Sequence, residues 1–216
     1  MIFTPTPLGG AFVIEPEPAG DARGLFARTW CRRELEARGL ETRIAQCSTS
    51  FNKRKGTLRG MHYQRPPFAE TKIVRCTRGS MFDVIIDLRP QSPTFSRHFA
   101  VVLTADDRKA VYVPIGFAHG FQTLEDDTEV FYQISEFYSP DHSHGVRWND
   151  PAFQIPWPPD DRTISEDDRS YPDFRAAAVT LGGSASTGGS RSRPRAEGRG
   201  GGGAGGIIPD HGGPPR

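Results

Sequence analysis

Residues Lys72–Leu88 read KIVRCTRGSMFDVIIDL, and they indicate the fold class. Two runs rich in β-branched and aromatic residues, Lys72–Arg78 and Met81–Leu88, flank the turn signal Arg78-Gly79-Ser80. β-Branched residues pack well on a pleated sheet, and glycine reaches the backbone conformations that tight turns need. The stretch therefore predicts two strands joined by a short turn.

The same pattern continues along the chain, where short apolar runs alternate with short polar turns. Many short strands with this spacing favour an all-β antiparallel sandwich or barrel over alternating strands and helices. One short helix is predicted at Arg32–Arg38, directly before Gly39. The further predicted strands are His98–Thr104, Ala110–Val113, Gly120–Leu124 and Glu129–Tyr138.

Composition divides the chain into a domain at residues 1–175 and a tail at residues 176–216. Of the 24 glycines in the 216 residues, 13 lie in the tail, together with five arginines. Such a segment buries too little apolar surface to offset the entropy of ordering it, so the tail is predicted to be disordered. Residues 1–175 are long enough for one sizeable core.

Charge and cysteine content predict a soluble cytoplasmic protein. Residues 1–175 hold 22 basic and 24 acidic residues, so no strong positive field points to nucleic acid. Cys31, Cys47 and Cys76 lack the spacing of a disulfide scaffold or a zinc ribbon, which fits a reducing compartment. The N-terminal residues do not resemble a signal peptide, and no run reaches the roughly 18 apolar residues of a membrane span.

The candidate catalytic and ligand-binding residues are concentrated in Gly56–Gly79, where Arg59, His62 and Lys72 lie among strand-forming residues. This set suits an anionic ligand whose carbonyl chemistry needs a base and a group that stabilises enolate charge. Strand alternation places Arg59 on the opposite face from His62 unless Gly60 forms a bulge.

Alternation in Phe82–Leu88 places two aspartates on one face of a predicted strand. Asp83 is a candidate partner for either His119 or Arg59, and Asp87 is a candidate cap for the turn that follows. The sequence leaves the partner of Asp83 open.

Metal and nucleophilic chemistry are the first alternatives. His62 is followed by Tyr63-Gln64 instead of the H-x-H pattern of a metal cupin, and no third ligand suits a site with His119. Nucleophile-elbow, P-loop and Rossmann motifs are missing. General acid–base chemistry remains, with His62 as base, Lys72 as charge stabiliser and Tyr132 as acid.

Six motifs follow one another between about Gly20 and Asp168. They are Asp21–Phe26 (DARGLF), Leu58–Gln64 (LRGMHYQ), Lys72–Arg75 (KIVR), Phe82–Arg89 (FDVIIDLR), Pro114–Phe121 (PIGFAHGF) and Gly145–Pro151 (GVRWNDP). Together they resemble the dTDP-4-dehydrorhamnose 3,5-epimerase family. The resemblance implies a cupin-type double-stranded β-helix, a jelly-roll sandwich with a few short helices, in residues 1–175. It also implies a homodimer without metal or other cofactor that epimerises a nucleotide-diphosphate-linked 4-keto-6-deoxyhexose at C3, C5 or both.

The resemblance also assigns roles to individual residues. The family's base matches His62, oriented by a carboxylate that matches Asp168; the acid matches Tyr132, and Lys72 lies by the keto oxygen. The positions that match nucleotide, diphosphate or sugar contacts are Arg23, Gln46, Arg59, His119 and Tyr138.

Four sites depart from the family pattern: Arg28, Ser48, Asp167 and the pair Ser143-His144. They leave the catalytic set intact but change candidate contacts to the nucleotide or the sugar. Three other functions therefore stay open: a 3-epimerase, a sugar-nucleotide 3,4-ketoisomerase, and a non-catalytic cupin that binds a sugar nucleotide.

Overall fold

Two antiparallel β-sheets face each other in the computed structural model of the chain, which describes residues 1–175. The predicted disordered tail, residues 176–216, lies outside the described residues. The strands are β1 (Ile2–Pro5), β2 (Phe12–Glu15), β3 (Ala19–Asp21), β4 (Gly24–Phe26), β5 (Gln46–Asn52), β6 (Leu58–Gln64), β7 (Lys72–Arg78), β8 (Ser80–Asp87), β9 (His98–Thr104), β10 (Ala110–Val113), β11 (Phe117–Thr123), β12 (Thr128–Ile134) and β13 (Ser143–Gly145). The helices are α1 (Arg32–Glu36), α2 (Glu166–Ser170) and a 3₁₀ helix at Pro140–His142.

The larger sheet has six strands and the smaller has five. Their orders are β1-β2-β10-β7-β12-β5 and β13-β6-β11-β8-β9, and every strand pair in them is antiparallel. The hairpin of β3 and β4 forms a separate two-stranded sheet. The all-β antiparallel sandwich predicted from the sequence is confirmed. Within residues 1–175, no helix has the length and apolar content needed to cross a membrane.

The local sequence pattern predicts the bounds of the central strands well. β7, β9 and β10 begin and end at the predicted residues, β8 and β11 begin one and three residues early, and α1 ends two residues early. The pattern does not mark β3 or β5, because β3 is Ala-Gly-Asp and β5 is largely polar (QCSTSFN).

The predicted strand Glu129–Tyr138 is too long at its C-terminal end. β12 stops at Ile134, which lies opposite Gln46 of β5 and Lys72 of β7. Gln46 and Lys72 are the first residues of β5 and β7. Residues beyond Ile134 therefore have no strand residue on either side with which to continue the sheet.

β8 is buried on both faces, which makes it the centre of the packing. Met81 points between the sheets and packs in one cluster with Val74 of β7 and Val130 of β12. Val84 points to the other face and packs in a second cluster with Phe153. Full burial of such side chains contributes about 1.5–3 kcal/mol each. The segment after β13 therefore lies over the outer face of the smaller sheet.

Asp87 caps the turn that follows β8, as the sequence predicts. Its carboxylate accepts hydrogen bonds from the side chains of Arg89, Ser92 and Thr94. Burial disfavours the charged carboxyl, but these hydrogen bonds lower the pKa of Asp87 to about 2.

A bulge at Gly60 changes the face on which Arg59 lies. His62 pairs with His119 and Arg59 pairs with Phe121, so two residues of β6 lie opposite one residue of β11. Gly60 has φ +137°, and a Cβ built on it would lie 2.6 Å from Gly120 Cα. Because directly opposed residues share a sheet face, the bulge places Arg59 on the same face as His62.

Gly60→Ala is expected to lower the free energy of unfolding by about 2 kcal/mol or more, because the new methyl group meets the opposite backbone at a positive φ. Chemical denaturation measures this change. Gly9→Ala is the matched control, since an added Cβ there has nothing within 4 Å. Equal stability of the two variants would contradict the close approach at Gly60.

Candidate active site

His62 and Asp168 form a hydrogen-bonded pair although they lie 106 residues apart in the sequence. His62 Nε2 is 2.6 Å from Asp168 Oδ1; the imidazole is 32% exposed and the carboxylate side chain 8%. A carboxylate in this position favours the tautomer that carries its proton on Nε2. Nδ1 then has a lone pair that can accept a proton.

Helix α2 holds Asp168 against β6. Ser165 caps the helix by accepting a hydrogen bond from the Asp168 N–H at 3.1 Å. The second carboxylate oxygen accepts the Gly60 N–H at 3.3 Å. Burial opposes ionisation of Asp168, but the hydrogen bonds from His62 and Gly60 hold the pKa of its carboxyl below the usual range. The group behind His62 is therefore negatively charged near neutral pH.

Tyr132 reaches the same region from the larger sheet. It lies on β12, and its ring meets that of His119 edge to face with centroids 6.0 Å apart. Since His119 lies opposite His62 in the smaller sheet, Tyr132 and His62 approach the space between the sheets from facing sides, and this space is the candidate pocket. Burial, together with the charge of Asp83, raises the pKa of Tyr132 above its ordinary value. The phenol is thus protonated and able to donate.

Asp83 pairs with His119. Its Oδ1 lies 2.7 Å from His119 Nε2, and the side chains are 1% and 4% exposed. Asp83 Oδ2 is buried and has no hydrogen-bond partner among the described residues. Arg59 instead donates its Nε–H to Asn52 Oδ1 at 2.9 Å.

Lys72 pairs with Glu70, a residue that the sequence did not single out. Lys72 Nζ lies 3.0 Å from Glu70 Oε1, and the two side chains are 12% and 11% exposed. Glu70 Oε2 also accepts a hydrogen bond from Gln64 Nε2 at 3.0 Å. An ammonium group has three N–H donors, so this pairing leaves Lys72 able to bind a second anion.

The remaining predicted binding residues fall into two groups. The Tyr138 N–H donates to Gln46 Oε1 at 2.6 Å, which joins two of them. Arg23 instead lies at the turn of the β3–β4 hairpin, where its side chain is 90% exposed and pairs with Asp21. No hydrogen bond or ion pair within residues 1–175 links Arg23 to His62.

Tyr171 adjoins His62 and carries no sequence signal that could have identified it. Its ring lies edge to face with His62 at 6.1 Å between centroids. A Cβ on Gly145 would come within 2.2 Å of the Tyr171 ring, so the glycine makes room for it. Burial, with the charge of Asp168 adding to it, raises the pKa of Tyr171 to about 12.

The departures from the family pattern occupy different places, and Ser143-His144 lies on β13. Ser48 lies opposite Tyr132 in the β5–β12 ladder, so a change there alters the surroundings of the phenol. Arg28 pairs with Glu34 at 3.2 Å on the surface. Asp167 lies in the first turn of α2, directly before the dyad carboxylate.

Metal-ligating residues are not clustered in the described part of the chain. No three His, Cys, Asp or Glu side chains within residues 1–175 converge as a metal site requires. Two surface cavities of about 280 and 340 Å³ lie around Trp148 and Arg162, and none of the candidate catalytic residues lines them.

Comparison with known proteins identifies the family. The model of the dTDP-4-dehydrorhamnose 3,5-epimerase family matches residues 5–176. The chain belongs to this epimerase family. Its fold is accordingly the cupin-type β-sandwich that the motifs predict.

Individual relatives agree with the family match. The dTDP-4-dehydrorhamnose 3,5-epimerase of Methanothermobacter thermautotrophicus is 41% identical over 182 residues, which cover 83% of this chain and 97% of the relative. The Bacillus anthracis epimerase, solved with TDP and PPi bound, is 40% identical with a TM-score of 0.77 and covers 80% of this chain and 99% of its own. A 3′-monoepimerase from Streptomyces bikiniensis, solved with dTDP-quinovose, is 34% identical with a TM-score of 0.75 and coverages of 82% and 90%.

Asp168→Asn is expected to lower the free energy of unfolding of this epimerase-family domain by about 1–3 kcal/mol at neutral pH. The folded-state pKa of Asp168 is lowered. Its stabilising contribution is therefore present above the ordinary carboxyl pKa of about 3.9 and is lost as pH falls through the folded-state value. Denaturation at a series of pH values measures the difference between variant and unaltered protein, which should shrink on acidification.

Asp106→Asn is the control for this measurement, because Asp106 is exposed. It should change the free energy of unfolding by no more than about 0.5 kcal/mol at any pH. A deficit in Asp168→Asn that does not vary with pH would contradict a charged carboxylate at this position.

Proposed function

We propose that the protein epimerises a dTDP-linked 4-keto-6-deoxyhexose at C3 and C5. The observation that supports this most is the opposition of a base and an acid across the pocket. His62, backed by Asp168, approaches from the smaller sheet, and the protonated Tyr132 approaches from the larger one. Inversion of a carbon requires removal of a proton from one face and its return on the other.

The substrate chemistry fits His62, Lys72 and Tyr132. The hydrogens on C3 and C5 are both α to the C4 ketone, so removing either one gives an enolate that shares the same oxygen. His62 takes the proton from carbon through Nδ1, and Asp168 stabilises the imidazolium that forms. Lys72 balances the charge on the enolate oxygen, and electrostatic stabilisation of this kind is usually the largest catalytic contribution. Tyr132 then donates its proton to the carbon from the opposite face.

The remaining candidates suit the nucleotide part of such a substrate. Arg59 and Arg23 are proposed to bind the diphosphate, because guanidinium groups pair bidentately with phosphate oxygens. Gln46 and His119 are proposed as polar contacts to the nucleotide or sugar. Tyr138 is 48% exposed, and its ring is proposed to stack on the base.

A 3-epimerase is the second candidate. It is favoured by the similarity to the Streptomyces bikiniensis 3′-monoepimerase, at 34% identity. Ser48, which departs from the family pattern opposite Tyr132, is a position through which the acid could be restricted to one carbon.

In D₂O, incubation with dTDP-4-keto-6-deoxyglucose should introduce deuterium at C3 and C5, measured by NMR. His62→Ala should slow this exchange by at least about 100-fold, since general base catalysis contributes that much or more. His98→Ala is the control, because that ring bonds the Phe153 carbonyl outside the pocket.

Each result of the exchange experiment has one meaning. Label at C3 alone would favour the 3-epimerase. Absence of label from both carbons would contradict the substrate, and full exchange in His62→Ala would remove His62 from the mechanism.

We further propose that the protein acts as a cytoplasmic homodimer. The β3–β4 hairpin is exposed throughout, with Leu25 48% and Phe26 80% exposed. A second copy that covers these apolar side chains would also offer Arg23 a phosphate-binding site. The cytoplasmic location is supported by the three free cysteines Cys31, Cys47 and Cys76.

Phe26→Ser should weaken self-association at least about tenfold, because a buried aromatic anchor typically contributes over 1 kcal/mol to an interface. Analytical ultracentrifugation measures the dissociation constant. Phe137→Ser is the matched control, since Phe137 is 61% exposed but lies outside the hairpin. A monomeric unaltered protein, or equal weakening in both variants, would contradict the hairpin interface.

A further inference from the structure

Two histidine–carboxylate pairs stand side by side in the smaller sheet. His62 of β6 lies directly opposite His119 of β11. Each ring directs Nε2 to a buried carboxylate, His62 to Asp168 at 2.6 Å and His119 to Asp83 at 2.7 Å. Both imidazoles thus have a buried carboxylate on Nε2, although the proposed mechanism uses only the first as a base.

The carboxylate of the second pair is incompletely hydrogen-bonded. Asp168 uses both oxygens, because its Oδ2 accepts the Gly60 N–H. Asp83 Oδ2 is buried and has no partner among the described residues. An unpaired buried acceptor costs about 1–3 kcal/mol, and more when it is charged. A carboxylate with one oxygen left without a hydrogen-bond donor stabilises a cation beside it. The side chain beside Asp83 is His119.

Tyr132 adjoins this second pair. Its ring meets His119 edge to face at 6.0 Å between centroids. Burial raises the pKa of the phenol, the charge of Asp83 raises it further, and Arg59 acts in the opposite sense. Charged or titratable groups on β6, β8 and β11 therefore face Tyr132. A tyrosinate formed here is a strong base, and it needs a proton source close by.

After the proposed inversion, His62 and Tyr132 are in the wrong protonation states for a second inversion. His62 gains the proton that was removed from carbon, and Tyr132 loses the proton that it donates. Tyr132 must regain a proton before the second carbon is inverted or the next substrate is bound. His62 is 32% exposed and can release its proton to water. The neighbour of Tyr132 that can hold and transfer a proton is His119.

We propose that Asp83 and His119 return a proton to Tyr132 after each inversion, an inference that rests on the proposed epimerase function. The His119 imidazolium gives its Nδ1 proton to the phenolate, which re-forms the O–H bond and leaves a neutral imidazole. His119 then takes a proton from water while His62 releases one to water, so the cycle is balanced. Asp83 acts through His119 and is a positioning residue.

Asp83→Asn tests this role, because the amide preserves the shape of the carboxylate and removes its charge. With enzyme in excess over dTDP-4-keto-6-deoxyglucose, the first C–H inversion should proceed within about threefold of the unaltered rate. The second inversion, or steady-state turnover for a 3-epimerase, should slow at least about tenfold. The ultraviolet absorbance of tyrosinate should build up between the two.

Asp168→Asn is the matched comparison, because it changes the other dyad in the same way. It should slow the first inversion itself and should produce no tyrosinate. His119→Gln provides a second variant should Asp83→Asn fail to fold. Because His119 is also a proposed substrate contact, the test is made at saturating substrate, where the later inversions should slow at least about tenfold more than the first.

The outcomes separate this inference from the function on which it rests. If Asp83→Asn and His119→Gln slow the first and later inversions equally, or slow neither, the proton-return role is wrong while the epimerase function stands. If the unaltered protein inverts neither carbon, the proposed function is wrong and the inference falls with it.

Discussion

The close approach of two backbones at Gly60 and Gly120 is the constraint on which the pocket depends. A Cβ on Gly120 would lie 2.7 Å from the Arg59 carbonyl oxygen, so neither strand can carry a side chain there. The bulge that results places Arg59 and His62 on one face. It also presents the Gly60 N–H to Asp168. One local irregularity of the ladder thus positions the proposed base, its carboxylate and a candidate phosphate ligand.

The sandwich itself supplies the geometry that an epimerase needs. The proposed base, His62, comes from the smaller sheet and the proposed acid, Tyr132, from the larger one, and the packed core between the sheets holds their separation. Protein interiors are close-packed and resist deformation, so the two side chains keep their places on facing sheets. The two side chains also differ in their electrostatic surroundings. A charged, hydrogen-bonded carboxylate lies behind His62, whereas burial keeps the phenol of Tyr132 neutral.

Sequence reasoning succeeds here where interactions are local and fails where they are distant. The alternation in β8 placed Asp83 and Asp87 on one face and left His119 and Arg59 as candidate partners of Asp83, of which the structure pairs it with His119. The hydrophobic run of β7 gave the bounds of that strand. The end of β12 at Ile134 depends on where two other strands begin, which no local pattern contains. The pairing of Asp168 with His62 was available only through family resemblance. Glu70 and Tyr171 were missed because their importance lies entirely in tertiary contacts.

The position of α2 has a consequence for the biogenesis of the protein. The ribosome makes His62 106 residues before Asp168, so both sheets can be complete while the imidazole still lacks its counter-charge. The proposed base and its carboxylate are therefore both present only once the final described helix has been synthesised. A chain that ends before α2 would leave His62 without the counter-charge of Asp168, and we expect it not to epimerise a nucleotide sugar.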